Sequence, residues 1–136
     1  KRSAFWAKYK PPRIDLDVVV LSARYGEGAR ASVFASFDIG VKSDDGFMSI
    51  GSVGTGLSEK EMLSITNKLR KMVEKYDGKT YHFTPKVVLE VTADLISRDA
   101  KGNIGLRFPR IVRIRDDKYI SDINTVGDVV QTMTGF

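Results

Sequence analysis

The chain has 136 residues, 42% of them hydrophobic, no cysteine, and a formal net charge of +5. That length supports one domain with a real core and excludes a nucleotide-binding catalytic domain with a second domain beside it. Without cysteine there are no disulfides or thiolate metal sites, and no apolar run nears the roughly 18 residues of a membrane span, so a soluble intracellular protein is expected, cytoplasmic in a prokaryote and nuclear in a eukaryote.

Residues 14–24 (IDLDVVVLSAR) predict a first strand. Ile14, Leu16, Val18 and Val20 share one face, and Val19 with Leu21 make its second half apolar on both sides. Tyr25-Gly26-Glu27-Gly28 reads as a turn, because glycine supplies the positive φ of a tight reversal. Residues 32–39 alternate, with Val33, Ala35, Phe37 and Ile39 on one side. Ser43-Asp44-Asp45-Gly46 is a second turn, and 47–53 a third strand, completing an antiparallel meander.

The period then changes. Ser58-Glu59-Lys60-Glu61 is a capping box, with Leu57 and Met62 as its staple. Met62, Ile65, Leu69, Met72 and Tyr76 follow at spacings of 3, 4, 3 and 4, which predicts a helix stopped by Asp77-Gly78. Residues 86–96 alternate again and put Val87, Leu89, Val91, Ala93 and Leu95 on the core face. A turn at 100–103 leads into a last strand over 105–115, and 124–133 suits a short terminal helix. Three strands, a helix and two more strands match a five-stranded OB-fold Greek-key barrel with one helix between strands 3 and 4. A small sandwich with one helix has the same periodicity.

Positive charge is concentrated at two places. Residues 1–13 carry five basic groups and no acid, and 98–118 carry seven against three acids, while 14–97 and 119–136 each sum to −2. Such focusing suits a polyanion such as DNA or a nucleotide phosphate.

The basic segments also carry motifs. Phe5-Trp6-Ala7-Lys8-Tyr9-Lys10, followed by residues 14–20, resembles motif V of the ATP-dependent DNA ligases of the archaeal and eukaryotic replicative kind. Residues 106–118 (LRFPRIVRIRDDK) are similar to motif VI of the same family, with its Arg-x-Asp-Lys ending intact at Arg115 to Lys118. Residues 25–28, 50–56 and 85–91 also resemble family segments, in order, so the resemblance spans nearly the whole chain. It implies a C-terminal OB domain, residues 14–136, preceded by a motif V segment, 1–13, at the junction with a nucleotidyltransferase domain. The abrupt aromatic-basic opening agrees with a piece of a larger enzyme.

The resemblance further implies a division of labour. Arg115, Asp117 and Lys118 would assist adenylation by orienting the pyrophosphate leaving group, with Asp117 positioning those cations or the metal-bound phosphates. Lys8, Lys10 and Arg110 would contact the nucleotide. Arg107, Phe108 and Arg113 would contact nicked double-stranded DNA, the Arg-Phe pair in the minor groove. The cofactors would be ATP as AMP donor and Mg2+, both bound mainly by the nucleotidyltransferase domain, and a sliding clamp is a further partner the family allows. The residue types suit these tasks, since guanidinium binds phosphate through two N–H groups and lysine acts as a point charge.

Other readings compete. Strict alternation over 105–115 puts Arg107, Arg113 and Arg115 on one face and Arg110 among Leu106, Phe108, Val112 and Ile114 on the other. An arginine there needs a partner or a bulge, for which Pro109 is suited, and alternation alone leaves Phe108 open between core packing and exposure. A free single-stranded nucleic-acid-binding OB domain would use exposed aromatics, with Phe34, Phe47 and Tyr81 as the candidates. The OB domain of an mRNA capping guanylyltransferase shares the Arg-x-Asp-Lys ending. Lys75-Tyr76-Asp77-Gly78 matches the K-x-D-G of an adenylated lysine but follows motif V instead of preceding it. The glycines at 51, 54 and 56 lack dinucleotide-loop spacing and read as a strand-to-helix turn. His82, the only histidine, reads as a surface or strand residue, and Asp15 with Asp17 as salt-bridged near Lys8, Lys10 and Arg13. Trp6 reads as a packing residue.

Overall fold

The computed structural model describes residues 14–54 and 56–134. Its first strand, β1 (Ile14–Tyr25), pairs with two strands in succession along one edge and with a third along the other. Residues 14–19 pair antiparallel with β6 (Val88–Ala93), and 19–25 with β2 (Phe34–Ser43) on the other edge. β3 (Gly46–Val53) follows β2 as a hairpin, so the meander is as expected. Ile14, Leu16, Val18 and Val20 are buried with Phe34, Phe37, Ile39 and Ile50 in the barrel core. Val19 is buried on the opposite face, against Val88 and Ile123, which explains why the sequence is apolar on both sides there.

The helix α1 (Glu59–Arg70) starts on the expected box. Ser58 Oγ accepts from the Glu61 N–H at 3.2 Å, and Glu61 Oε1 accepts from the Ser58 N–H at 3.0 Å. Met62, Ile65 and Leu69 are buried, and Thr66 Oγ1 accepts from the Phe34 N–H at 2.9 Å, fixing the helix across β2. The helix ends at Arg70, however, and does not run on to Tyr76. Residues Val73–Tyr76 form β4, which pairs with β5 (Tyr81–Phe83). A spacing of four satisfies a strand as well as a helix, so Met72 and Tyr76 could not distinguish the two. Asp77-Gly78 is therefore a hairpin turn and not a helix stop. Asp77 Oδ1 accepts from the Lys79 and Thr80 N–H groups at 3.1 and 2.8 Å, and Gly78 has φ +93°. The K-x-D-G string lies on this hairpin, and His82 is a strand residue 3.2 Å from Asp77.

The last two expected strands are each broken once. Residues 86–96 divide at Asp94 into β6 and β7 (Leu95–Arg98), and 105–115 divide at Phe108-Pro109 into β8 (Ile104–Arg107) and β9 (Arg110–Ile114). β6 pairs with β9, β7 pairs with β8 as a separate ribbon, and the Asp94 N–H donates to the Arg107 carbonyl where the two breaks meet. Each break shifts the alternation. Leu95, expected inside, is 45% exposed while Ile96 is buried, and Ile111 is buried while Val112 faces out. β8 packs beside β3 and completes the curled barrel, so the OB fold stands with the β4–β5 hairpin added after the helix.

A C-terminal helix, α2 (Val126–Thr134), lies where one was expected and buries Val129. Ahead of it, Asn124 fills the gap left on the free edge of β1: its N–H donates to the Asp17 carbonyl at 3.0 Å and its Oδ1 accepts from the Asp17 N–H at 2.8 Å. Neither helix is long and apolar enough to cross a membrane.

The glycine-rich loop between β3 and α1 is a close-packing device. A Cβ on Gly54 would lie 2.8 Å from the Ala35 carbonyl oxygen, and one on Gly56, at φ +116°, 2.0 Å from that of Ile111. Gly56→Ala is expected to lower stability by more than about 1 kcal/mol in urea unfolding, because both the conformation and the space exclude a side chain. The β4–β5 turn should show its own acid response. Hydrogen bonds from the Thr80 N–H first, then from His82 and the Lys79 N–H, lower the Asp77 carboxyl from 3.8 to about 2. The turn is thus stabilised above pH 3.8 and loosens as pH falls towards 2, and the Lys79 and Thr80 amide resonances should titrate with a midpoint near 2.

Candidate phosphate and nucleic-acid site

Two groups of candidate residues sit on either side of the Phe108-Pro109 break. The first follows β9. Arg115 is anchored by its N–H to the Val88 carbonyl at 2.9 Å, and its side chain is only 16% exposed. Its guanidinium meets three carboxylates: Nη1 lies 3.5 Å from Asp17 and 3.3 Å from Glu90, while Nε and Nη2 each donate to Asp117 at 3.0 Å. Lys118 Nζ lies 3.5 Å from the second oxygen of Asp17. Arg113 donates to Glu90 at 2.7 Å and keeps most of its side chain in solvent.

This network fixes charge on both sides. The two N–H groups of Arg115 hold the Asp117 carboxyl down at about 2, and that same contact raises the Arg115 guanidinium further above its already high value. Arg115, Asp117 and Lys118 are thus brought together as expected, but they are not a bare cationic patch. Asp17 and Glu90 complete the cluster, and they face each other across the β1–β6 ladder. Asp17 is salt-bridged as expected, yet to Arg115 and Lys118; Lys8, Lys10, Arg13 and Trp6 lie outside the described residues. The signal for the missed pair was an acid set between apolar neighbours in a strand, Leu16-Asp17-Val18 and Leu89-Glu90-Val91.

Beside the cluster opens a groove of about 410 Å³, rimmed by Lys68, Lys86, Arg115 and Lys118 over Met72 and Val88. Lys68 reaches across from α1 to Asp116 at 2.6 Å, tying the helix to the motif VI turn. No cluster of three or more histidine, cysteine or acidic side chains able to hold a metal ion occurs among the described residues.

The second group is Arg107 and Phe108 at the end of the β7–β8 ribbon. Phe108 has φ +54°, the one positive value among the described non-glycine residues, and its side chain is 64% exposed. Core packing of Phe108 is therefore overturned. The Arg107 guanidinium carbon sits 5.7 Å from its ring centroid, so a cation and an apolar wedge project together. Arg110, placed on the apolar face by strict alternation, is instead half-buried with Asp94 at 3.9 Å, because the break re-phases the strand.

The three aromatics that a free single-stranded-DNA reader would use as stacking platforms are not open to solvent as such. Phe34 is fully buried, Tyr81 packs against Tyr25, Phe34 and Tyr76, and Phe47 packs on the Val19 cluster.

Comparison with known proteins places the fold in a family. A sequence profile described as ATP dependent DNA ligase C terminal region matches residues 30–118, ending on Lys118. DNA ligase 2 of Haloquadratum walsbyi is 39% identical over 98% of this chain, and a DNA ligase of Methanospirillum hungatei is 38% identical over 94%. The chain spans 22% and 24% of the length of those two relatives. Among solved structures, the ligase domain of M. tuberculosis LigD superposes with a TM-score of 0.69 at 28% identity, covering 82% of this chain and 38% of that one. A mycobacterial DNA ligase D complexed with ATP and MES shares the fold, with a TM-score of 0.65 at 23% identity over 82% of this chain and 38% of that one. The chain therefore belongs to the family of ATP-dependent DNA ligase C-terminal regions, as an OB-fold domain.

Proposed function

We propose that this domain serves two steps of a DNA ligase: it assists transfer of AMP from ATP to the lysine of a nucleotidyltransferase domain, and it clamps nicked duplex DNA for sealing in replication, repair and recombination. In the first step Arg115 and Lys118 would neutralise charge building on the pyrophosphate leaving group, with Asp117 positioning the cations until the phosphates arrive and Lys8, Lys10 and Arg110 on the nucleotide. The donor set fits a polyphosphate, since a guanidinium fork that donates to a carboxylate donates equally well to two phosphate oxygens. Mg2+ is assigned to the nucleotidyltransferase domain, where it would screen the phosphate charge. In the second step Arg107 and Arg113 would contact the DNA backbone while Phe108 enters the minor groove. A sliding clamp is a further partner of the whole enzyme.

The observation that carries the DNA reading is the exposed Phe108 held at φ +54° beside Arg107. A large aromatic turned to water on a left-handed backbone beside a cation supports this reading, because strain of this kind collects at ligand-binding sites. The capping-enzyme alternative has no observation favouring it.

The test separates the two steps in the ligase that carries this domain. Arg115→Ala or Lys118→Ala should reduce lysine-AMP formation by roughly 10- to 100-fold and spare sealing of pre-adenylated nicks; equal loss in both steps would refute the assignment. Arg107→Ala and Phe108→Ala should do the reverse, and Arg107→Ala should lower the log–log salt slope of duplex binding by about 0.9. Phe108→Gly should weaken DNA binding yet stay within about 1 kcal/mol of wild type in stability, since relief of the left-handed backbone offsets the added chain entropy.

A further inference from the structure

Asp17 and Glu90 stand directly opposite each other on hydrogen-bonded strands, and both side chains are about four-fifths buried. Like charges so placed destabilise a strand pair, and partial burial worsens the repulsion, unless a cation lies between them. Arg115 supplies it. Its guanidinium presents two different edges. Nη1 faces Asp17 and Glu90, which belong to the sheet. The Nε–Nη2 fork is held by Asp117 alone, a side chain 68% exposed and only two residues away in a turn.

The two edges therefore differ in what can replace their partner. Displacing Asp17 or Glu90 from Nη1 would leave two largely buried acids facing each other without the cation between them, each keeping only a flanking partner, Lys118 for Asp17 and Arg113 for Glu90. Displacing Asp117 returns an exposed carboxylate to water. Lys118, in turn, refers to the same Asp17 through its second oxygen at 3.5 Å, so both cations are located against one carboxylate.

We propose that Asp17 and Glu90 are positioning residues for phosphate binding: they fix Arg115 to the barrel through Nη1, so that its Nε–Nη2 fork is the edge where a phosphate group exchanges for the Asp117 carboxylate. No covalent step is involved; two phosphate oxygens accept the N–H groups that Asp117 releases. The inference rests on the reading that Arg115 and Lys118 engage the phosphates of ATP.

The experiment uses the ligase carrying this domain and follows lysine-AMP formation over a range of ATP concentrations, beside sealing of a pre-adenylated nick. Asp17→Asn and Glu90→Gln should each raise the ATP concentration for half-maximal adenylation by roughly tenfold and leave sealing unchanged; in the Arg115→Ala background Glu90→Gln should add nothing, and Asp17→Asn only the smaller part that it exerts through Lys118. Asp17→Glu, which keeps the charge, should recover part of the loss. Tighter use of ATP in Asp17→Asn would overturn the proposal, because the acids would then only be neutralising the cations. So would equal loss in both steps, or an undiminished effect in the Arg115→Ala background. If Arg115→Ala itself leaves adenylation intact, the phosphate reading fails and this role with it. If that variant is impaired while Asp17→Asn and Glu90→Gln behave as wild type, the positioning role alone is overturned. The Arg115 Nε–H resonance gives a direct readout: it should move in both acid variants while the core amides of β2 and β3 stay, and an unmoved resonance rejects the role.

Discussion

Everything in this domain refers back to β1. Within twelve residues it hydrogen-bonds to β2 along one edge and to β6 and β5 along the other, and Asn124 fills the remaining gap. A strand with so many partners has almost no unpaired backbone, and with both faces covered between Val18 and Leu21 it is apolar on both. It is also the strand from which Asp17 reaches the end of β9. The barrel core on its inner face and the charge network on its outer face are thus organised by the same ladder.

The charge network shows how a motif can be basic in sequence and balanced in space. Arg113, Arg115 and Lys118 meet Asp17, Glu90 and Asp117, so the local sum is near zero although the segment 98–118 is strongly positive. What distinguishes the carboxylates is how tightly the fold holds each one. Two belong to adjacent strands and one to an exposed turn, and this ordering gives the guanidinium a fixed edge and an exchangeable edge. Pre-arranged donors of this kind need little reorganisation when an anion arrives.

The barrel strands and the helix start were legible in the sequence because alternation and the Ser58–Glu61 box are local signals that tertiary structure did not override. The helix end was not, since Met72 and Tyr76 obey both periods and only pairing of Val73–Tyr76 with Tyr81–Phe83 decides between them. The break at Asp94, a single residue that re-phases the strand beyond it, was hidden, whereas Pro109 hinted at the two-residue break it makes with Phe108. The motif VI residues, Asp117 among them, could be picked out by resemblance, but the pairing of Arg115 with Asp17 and Glu90 could not. Asp17 and Glu90 are 73 positions apart in the chain, and only the register of two strands sets them side by side.

The β7–β8 ribbon leaves such domains free to vary in one direction. It is joined to the barrel at Asp94 and at Phe108-Pro109, and its far end is a largely exposed turn over 99–103. Adding one residue to each arm at that end lengthens it by about 3.4 Å and turns the new side chains to the opposite face; adding two restores the original faces. Its reach is therefore adjustable in steps of about 7 Å without moving a residue of the barrel. Length variation here would change how far the domain's surface extends, and it would be inherited independently of the fold.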